Sequence, residues 1–210
     1  MGAARRRGRH FQRVHKRMSG SPVKIAILFS GRGSNMQTLA RHIAKANVPA
    51  ELVLTVTNRP DAGGIEICKE AGIACTVIDH KSFDSREAFD AKLDETLRAA
   101  NIELICCAGF MRLLTEDFVN GWPDRLLNIH PSLLPKYKGL HTHKRALEAG
   151  DKEHGCTVHY MRPEMDDGPI IVQKSVPVLA GDTPDMLADR VIEQEHIAYP
   201  QALDIVLSKL

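Results

Sequence analysis

From position 23 onward, short apolar runs alternate with segments whose apolar residues recur every three or four positions. Residues 24–30 (KIAILFS) are apolar almost throughout, as expected of a parallel strand covered on both faces. A polar turn over 31–35 leads into a helix predicted over 36–45. Strands are predicted at 51–57 and 75–78, separated by a helix over 65–71 that ends at Gly72. Asp84 with Glu87 has capping-box spacing and predicts a helix running to residue 100, with Phe89, Leu93 and Leu97 on one face. Further strands are expected at 103–108 and 125–129.

After residue 140 the pattern changes. A short helix over 143–149 precedes runs at 156–161 and 170–178, joined through a Gly168-Pro169 turn, which reads as an antiparallel pair. Asp182 or Thr183 caps a last long helix, with Pro184 acceptable in its first turn. The expected fold is α/β. A Rossmann-like parallel sheet in the N-terminal half is extended by an antiparallel strand pair and a long C-terminal helix. In such sheets ligands gather outside the carboxyl ends of the strands, which selects loops 31–35, 58–64, 109–114 and 130–142 for chemistry.

Charge divides this picture. The chain of 210 residues has a formal net charge of +2, but residues 1–17 hold seven cations and no acid. The remainder has 21 basic against 26 acidic residues, a net of −5. Residues 1–22 are therefore expected to be a disordered basic extension, with Met18 as the natural start, and residues 23–210 a single catalytic domain. The extension lacks the apolar core of a secretory signal. Read as a nucleic-acid arm, an organelle transit peptide or an anionic-surface anchor, it would be functional, but a nucleic-acid partner is not favoured. No apolar run approaches the roughly 18 residues of a membrane span. Five cysteines, odd in number and without C-x-x-C spacing, suit a reducing cytoplasm and resemble neither a disulfide framework nor a zinc site.

Three segments carry candidate chemistry. Ser30-Gly31-Arg32-Gly33-Ser34-Asn35 opens a helix directly after a buried strand, where glycines admit a close ligand and helix-end N–H groups meet an anion. Met36 stands where a dinucleotide fingerprint needs its third glycine, so the loop reads as a cradle for one phosphate or as a simple capped turn. Asn128 and His130, two apart at a strand end, point to one face. An amide donor beside an imidazole suits acyl transfer, by steadying an oxyanion and moving a proton; a capped strand end with a satisfied histidine fits equally well. A carboxylate from Asp166 or Asp167 that reached His130 would orient the ring, although both acids also suit the turn they precede. His141 and His143 read as a helix start rather than a metal clip. Glu195 falls on the inward stripe of the last helix, with Leu187, Val191, Ala198 and Ala202, where an acid needs a partner or a ligand.

Over residues 23–210 the sequence resembles the formyltransferases that use 10-formyltetrahydrofolate. The resemblance is carried by Ser-Gly-Arg-Gly-Ser-Asn (30–35), Ser-Phe-Asp-Ser-Arg-Glu (82–87), Ala-Gly-Phe-Met-Arg-Leu-Leu (108–114), Asn-Ile-His-Pro-Ser-Leu-Leu-Pro (128–135), Gly-Leu-His-Thr-His (139–143) and Gln-Glu-His (194–196). Lys-Tyr-Lys-Gly-Leu-His-Thr-His points to the branch that acts on glycinamide ribonucleotide in purine biosynthesis. The resemblance implies the formyltransferase fold and direct transfer of a formyl group from 10-formyltetrahydrofolate to the substrate amine. It implies that Asn128, His130 and Asp166 are catalytic and that Gly33, Ser34, Asn35 and Glu195 bind the ribonucleotide. Arg86, Met111, Arg112, Leu113, Leu114, Asn128 and Met165 would bind the folate, without a metal. Two positions depart from the family pattern: Asp167 replaces a small residue, and Lys138 a proline found in many relatives.

Competing readings are weaker. Formyltetrahydrofolate hydrolase and methionyl-tRNA formyltransferase are expected to carry an additional domain, for which 210 residues leave no room. A nucleic-acid module would rest on the basic extension alone. A nicotinamide-dependent dehydrogenase is disfavoured by Met36 and by Thr57-Asn58, which bring no ribose-binding acid to the second strand's tip. The protein is expected to be a monomer or homodimer.

Overall fold

A computed structural model describes residues 21–210, so the expectation of disorder over 1–22 lies almost wholly outside the described residues. In chain order the elements are β1 (Val23–Phe29), α1 (Ser34–Ile43), β2 (Ala50–Thr57), α2 (Gly64–Glu70), β3 (Cys75–Val77), α3 (Arg86–Ala99), β4 (Leu104–Cys107) and α4 (Glu116–Asn120). They continue with β5 (Leu126–His130), α5 (Thr142–Glu148), β6 (Glu153–Tyr160), β7 (Ile170–Pro177) and α6 (Pro184–Leu207). The strands form one sheet in the order β3-β2-β1-β4-β5-β6-β7. The first five are mutually parallel, β6 runs antiparallel to β5, and β7 antiparallel to β6.

Alternation along the central strands builds a core on each face. Ile25, Ile27 and Phe29 of β1 and Cys106 of β4 join Leu187, Val191, Ala198, Tyr199 and Ala202 of α6. Their neighbours Ala26, Leu28 and Cys107 turn to Phe89, Leu93 and Leu97 of α3 and to Trp122. The continuous apolar runs are thus explained by burial on both sides, and each fully buried large side chain contributes about 1.5–3 kcal/mol. Tyr199 is fully buried, and its hydroxyl lies 2.9 Å from the Cys107 carbonyl and 3.3 Å from that of Leu127. One hydroxyl proton, shared between two carbonyls, therefore ties α6 to the β4–β5 seam.

Three local expectations need correction. Helix α1 begins at Ser34 rather than Met36, because Gly33 takes the left-handed conformation (φ 82°) and turns the chain earlier. A Cβ there would lie 2.8 Å from the Gly64 Cα. Helix α3 is capped by Ser85, not Asp84: Ser85 is extended and its side chain accepts the Ala88 N–H. The helix α4 was not expected; Thr115 caps it, and Phe118 and Val119 bury its inner face. Of the two caps offered for α6, Thr183 accepts the Met186 N–H, while Asp182 accepts from Leu179 N–H and pairs with Arg190.

Candidate active site

The β5–β6 ladder assembles the chemistry. Its register sets Asn128 directly opposite His159, and His130 opposite Thr157. The alternation of a strand puts all four on one face. His159 Nδ1 lies 3.0 Å from the Tyr160 carbonyl and so carries its proton there. The neutral ring then offers a lone pair at Nε2, which is 3.3 Å from Asn128 Nδ2. Burial pushes the His159 pKa down and holds this neutral form. The arrangement fixes which end of the Asn128 amide is nitrogen, and leaves one amide proton for a ligand. Thr157 secures the same strip: its hydroxyl donates to the Ser132 carbonyl (2.6 Å) and accepts from Leu134 N–H (3.0 Å), pinning the exit from β5.

His130 is buried, with an acceptor at each nitrogen. Nε2 is 2.9 Å from the Tyr137 carbonyl, and Nδ1 is 3.4 Å from Asp166 Oδ2. Each ring nitrogen thus faces an oxygen. At 3.4 Å the Nδ1 contact is longer than a hydrogen bond, so its proton can also be shared with an oxygen lodged beside it. Asp166 sits at φ 51° in the β6–β7 loop and accepts the Gly139 N–H at 2.9 Å. Asp167 turns away and pairs with the Lys138 ammonium. The choice between the two acids is thereby resolved in geometry: Asp166 faces His130. Gly168 closes the loop onto β6, since a Cβ there would sit 1.6 Å from the Tyr160 carbonyl oxygen.

At the β1–α1 turn no side chain caps the helix, so the first-turn N–H groups of α1 are presented to the loop. Asn35 Nδ2 donates to Glu195 Oε2 at 2.6 Å, joining α1 to α6. Burial raises the Glu195 pKa, and the Asn35 hydrogen bond works against that rise. Asn35 Oδ1 is buried without a protein partner. Asn35 and Glu195 thus meet beside the Gly33–Ser34 turn.

The loop after β4 is tied to the same turn. Ser30 N–H donates to the Gly109 carbonyl (3.1 Å), while Ser30 Oγ accepts the Met111 N–H (2.8 Å) and donates to Asn58 Oδ1 (2.5 Å). Met111, Leu113 and Met165 remain 67%, 57% and 50% exposed. The Arg112 guanidinium lies 4.4 Å from the centre of the Phe89 ring, and Leu114 packs against the α3 core. Arg86 opens α3 and has its guanidinium 3.9 Å from Glu87. Arg86 and Arg112 both favour the charged form of Asp90, but burial dominates and raises its pKa. Sequence reasoning missed Ser30, Asn58, Tyr137 and His159 as organisers. His159 carried a signal in the strand face that it shares with Thr157; Tyr137 acts through its backbone carbonyl, and Ser30 and Asn58 through side chains whose partners come from distant segments.

The chain belongs to the formyl transferase family, whose pattern it matches over residues 23–203. Among similar proteins is the phosphoribosylglycinamide formyltransferase of Escherichia coli, 46% identical over 178 residues, which cover 85% of this chain and 84% of that protein. The trifunctional purine biosynthetic protein adenosine-3 of Drosophila melanogaster is 48% identical over 93% of this chain. The chain spans only 15% of that relative's length. The crystal structure of phosphoribosylglycinamide formyltransferase from Brucella melitensis is similar with a TM-score of 0.85 and 44% identity, covering 90% of this chain and 98% of that one. Both the expected fold class and the expected family agree with these findings. Among the described residues no helix is long and apolar enough to cross a membrane.

Proposed function

We propose that residues 23–210 act as one cytoplasmic catalytic domain that transfers a formyl group from 10-formyltetrahydrofolate to the amine of 5'-phosphoribosylglycinamide, the purine-biosynthetic reaction for which its relatives are named. The carrying observation is the strip on β5 and β6, where Asn128, oriented by His159, stands beside His130 with Asp166 at its Nδ1. An amide proton and an imidazole aimed at one place are what a tetrahedral intermediate requires.

The amine nitrogen attacks the formyl carbon, a C–N bond forms, and the carbonyl π pair moves onto oxygen. Asn128 Nδ2 and protonated His130 stabilise that oxyanion. When the pair returns, the bond from carbon to folate N10 breaks, and the proton lost by the amine ends on N10. Asp166 holds His130 in the cationic orientation throughout. The first-turn N–H groups at Gly33, Ser34 and Asn35 take the phosphate, and Glu195 the ribose hydroxyls. Met111, Arg112, Leu113, Leu114 and Met165 hold the folate ring, with Arg86 toward its carboxylate tail. Because the body outside the first 17 residues carries −5, attraction of two anionic substrates falls to these local donors.

The test is an absorbance assay with 10-formyl-dideazafolate, with and without the ribonucleotide. Deformylation only in the presence of the amine supports the proposal. Equal turnover in water alone would overturn it in favour of a hydrolase.

A further inference from the structure

Three consecutive residues after β5 each hold one part of the His130 environment. The Tyr137 carbonyl faces His130 Nε2 at 2.9 Å, the Lys138 ammonium pairs with Asp167, and the Gly139 N–H donates to Asp166 at 2.9 Å. This short segment is itself braced. Arg145 Nη1 donates to the Lys138 carbonyl at 2.6 Å, its guanidinium lies 5.2 Å from the Tyr137 ring centre, and the Tyr137 hydroxyl donates to Asp151 at 2.8 Å. Tyr137 and Gly139 both adopt positive φ (56° and 78°), so successive groups project to different sides of the segment.

The β6–β7 loop is held differently. Asp166 is a non-glycine residue at φ 51°, a conformation L-residues avoid unless neighbouring contacts impose it. Its side chain meets segment 137–139 through the Gly139 N–H. One such bond contributes only about 0.5–1.5 kcal/mol net, comparable to the cost of the backbone conformation. Asp167 adds a second attachment beside the first. It also removes a difficulty, since two adjacent carboxylates repel each other and the Lys138 charge offsets the outer one.

We propose that Lys138 and Asp167 are positioning residues: their ion pair holds the β6–β7 loop in the register that sets the Asp166 carboxylate against His130. The inference deepens the proposed transfer reaction and rests on it for its kinetic consequence. The pair is solvent-exposed, with side chains 37% and 55% accessible, so its strength is modest and salt-sensitive. Neither residue is among those that the proposed reaction assigns to its substrates. Loss of the pair acts on kcat through the fraction of molecules with Asp166 seated, and leaves the phosphate end unaffected.

The test compares the full chain with Lys138→Met, Asp167→Asn and the exchanged double variant K138D/D167K. Each single variant is expected to lose about three- to five-fold in kcat, with the ribonucleotide KM unchanged, in line with exposed ion pairs. The exchanged pair should recover most of the loss, which a merely structural contribution of either side chain would not do. Raising salt from about 0.05 M to about 0.5 M should lower kcat in the parent and not in Lys138→Met. Hydrogen exchange of the 162–168 amides should quicken in both single variants and slow again in the exchanged one, whether or not the chain turns over this acceptor. An inactive parent would therefore sink the proposed reaction and leave the clamp to be judged by exchange. Single variants with parental kcat and parental exchange, or an exchanged pair no better than the singles, would overturn the clamp.

Discussion

Asn128 and His159 face each other across the β5–β6 ladder, and the asparagine amide donates to the ring nitrogen at 3.3 Å. The amide is thus aimed by its neighbour on the facing strand. Replacing His159 with alanine should lower kcat by about 10²-fold, the scale of losing one oxyanion donor, with little change in KM. His159→Gln, whose side-chain oxygen can accept the same bond, should restore a substantial part. Steady-state kinetics decide it, and an alanine variant with parental kcat would refute the assignment.

The same pair predicts an acid limb. Burial lowers the His159 pKa, so the ring is neutral at pH 7 and accepts from Asn128. As pH falls through that depressed value, Nε2 gains a proton and can no longer accept. The kcat of the parent should decline there, and His159→Gln should not show that component in its pH profile.

Asp166→Asn keeps an oxygen for the Gly139 N–H but removes the negative charge 3.4 Å from His130 Nδ1. Turnover should fall by about 10²–10⁴-fold, the range of a disabled acid–base partner. Binding of a folate analogue, measured by fluorescence titration, should stay within a few-fold. Asp167→Asn should show only the small effect of the lost ion pair.

Glu195 should trade stability for binding. Its folded pKa is raised by burial, so its ionisation opposes folding: the penalty is absent below the unfolded value near 4.5 and develops as pH rises through the folded value. Glu195→Gln should therefore raise Tm relative to the parent at about pH 7.5 and change it little at about pH 4. The ribonucleotide KM should rise by about 10–100-fold, because hydrogen bonds to a charged group are lost. A variant with unchanged KM would remove Glu195 from the binding site.

His154 predicts an acid sensitivity of folding stability. It is buried, its Nε2 lies 3.1 Å from His143 Nδ1, and desolvation with the neighbouring ring pushes its pKa down to about 4. The unfolded chain takes up this proton near pH 6.5 while the folded chain refuses it. Folding stability is therefore lost as pH falls from about 6.5 toward 4, by up to about 3 kcal/mol. Urea unfolding at about pH 7 and pH 5 should show the loss, and His154→Gln should reduce it.

Much of this architecture was legible because burial on two faces leaves an apolar run, and one-sided burial leaves a stripe. The parallel strands, the face of α3 through Phe89, Leu93 and Leu97, and the misplaced acid at Glu195 could all be read in that way. The pairing of Asn128 with His130 followed from strand alternation alone. The partner across the ladder did not, because register is a property of two strands and neither one's sequence states it. Tyr137 and Gly139 contribute backbone atoms, which the identity of a residue does not announce. Helix α4 is only five residues long, too short for its periodicity to stand out from a loop.

The buried hydroxyl of Tyr199 has one more consequence. Glu195 lies one turn earlier on α6, and the Leu127 carbonyl that Tyr199 reaches belongs to the residue before Asn128. A single side chain thus ties the helix that carries Glu195 to the strand that carries Asn128. On the proposed reaction, an acceptor one methylene longer between ribose and amine should therefore fit this fixed spacing poorly, and steady-state kinetics should show a raised KM.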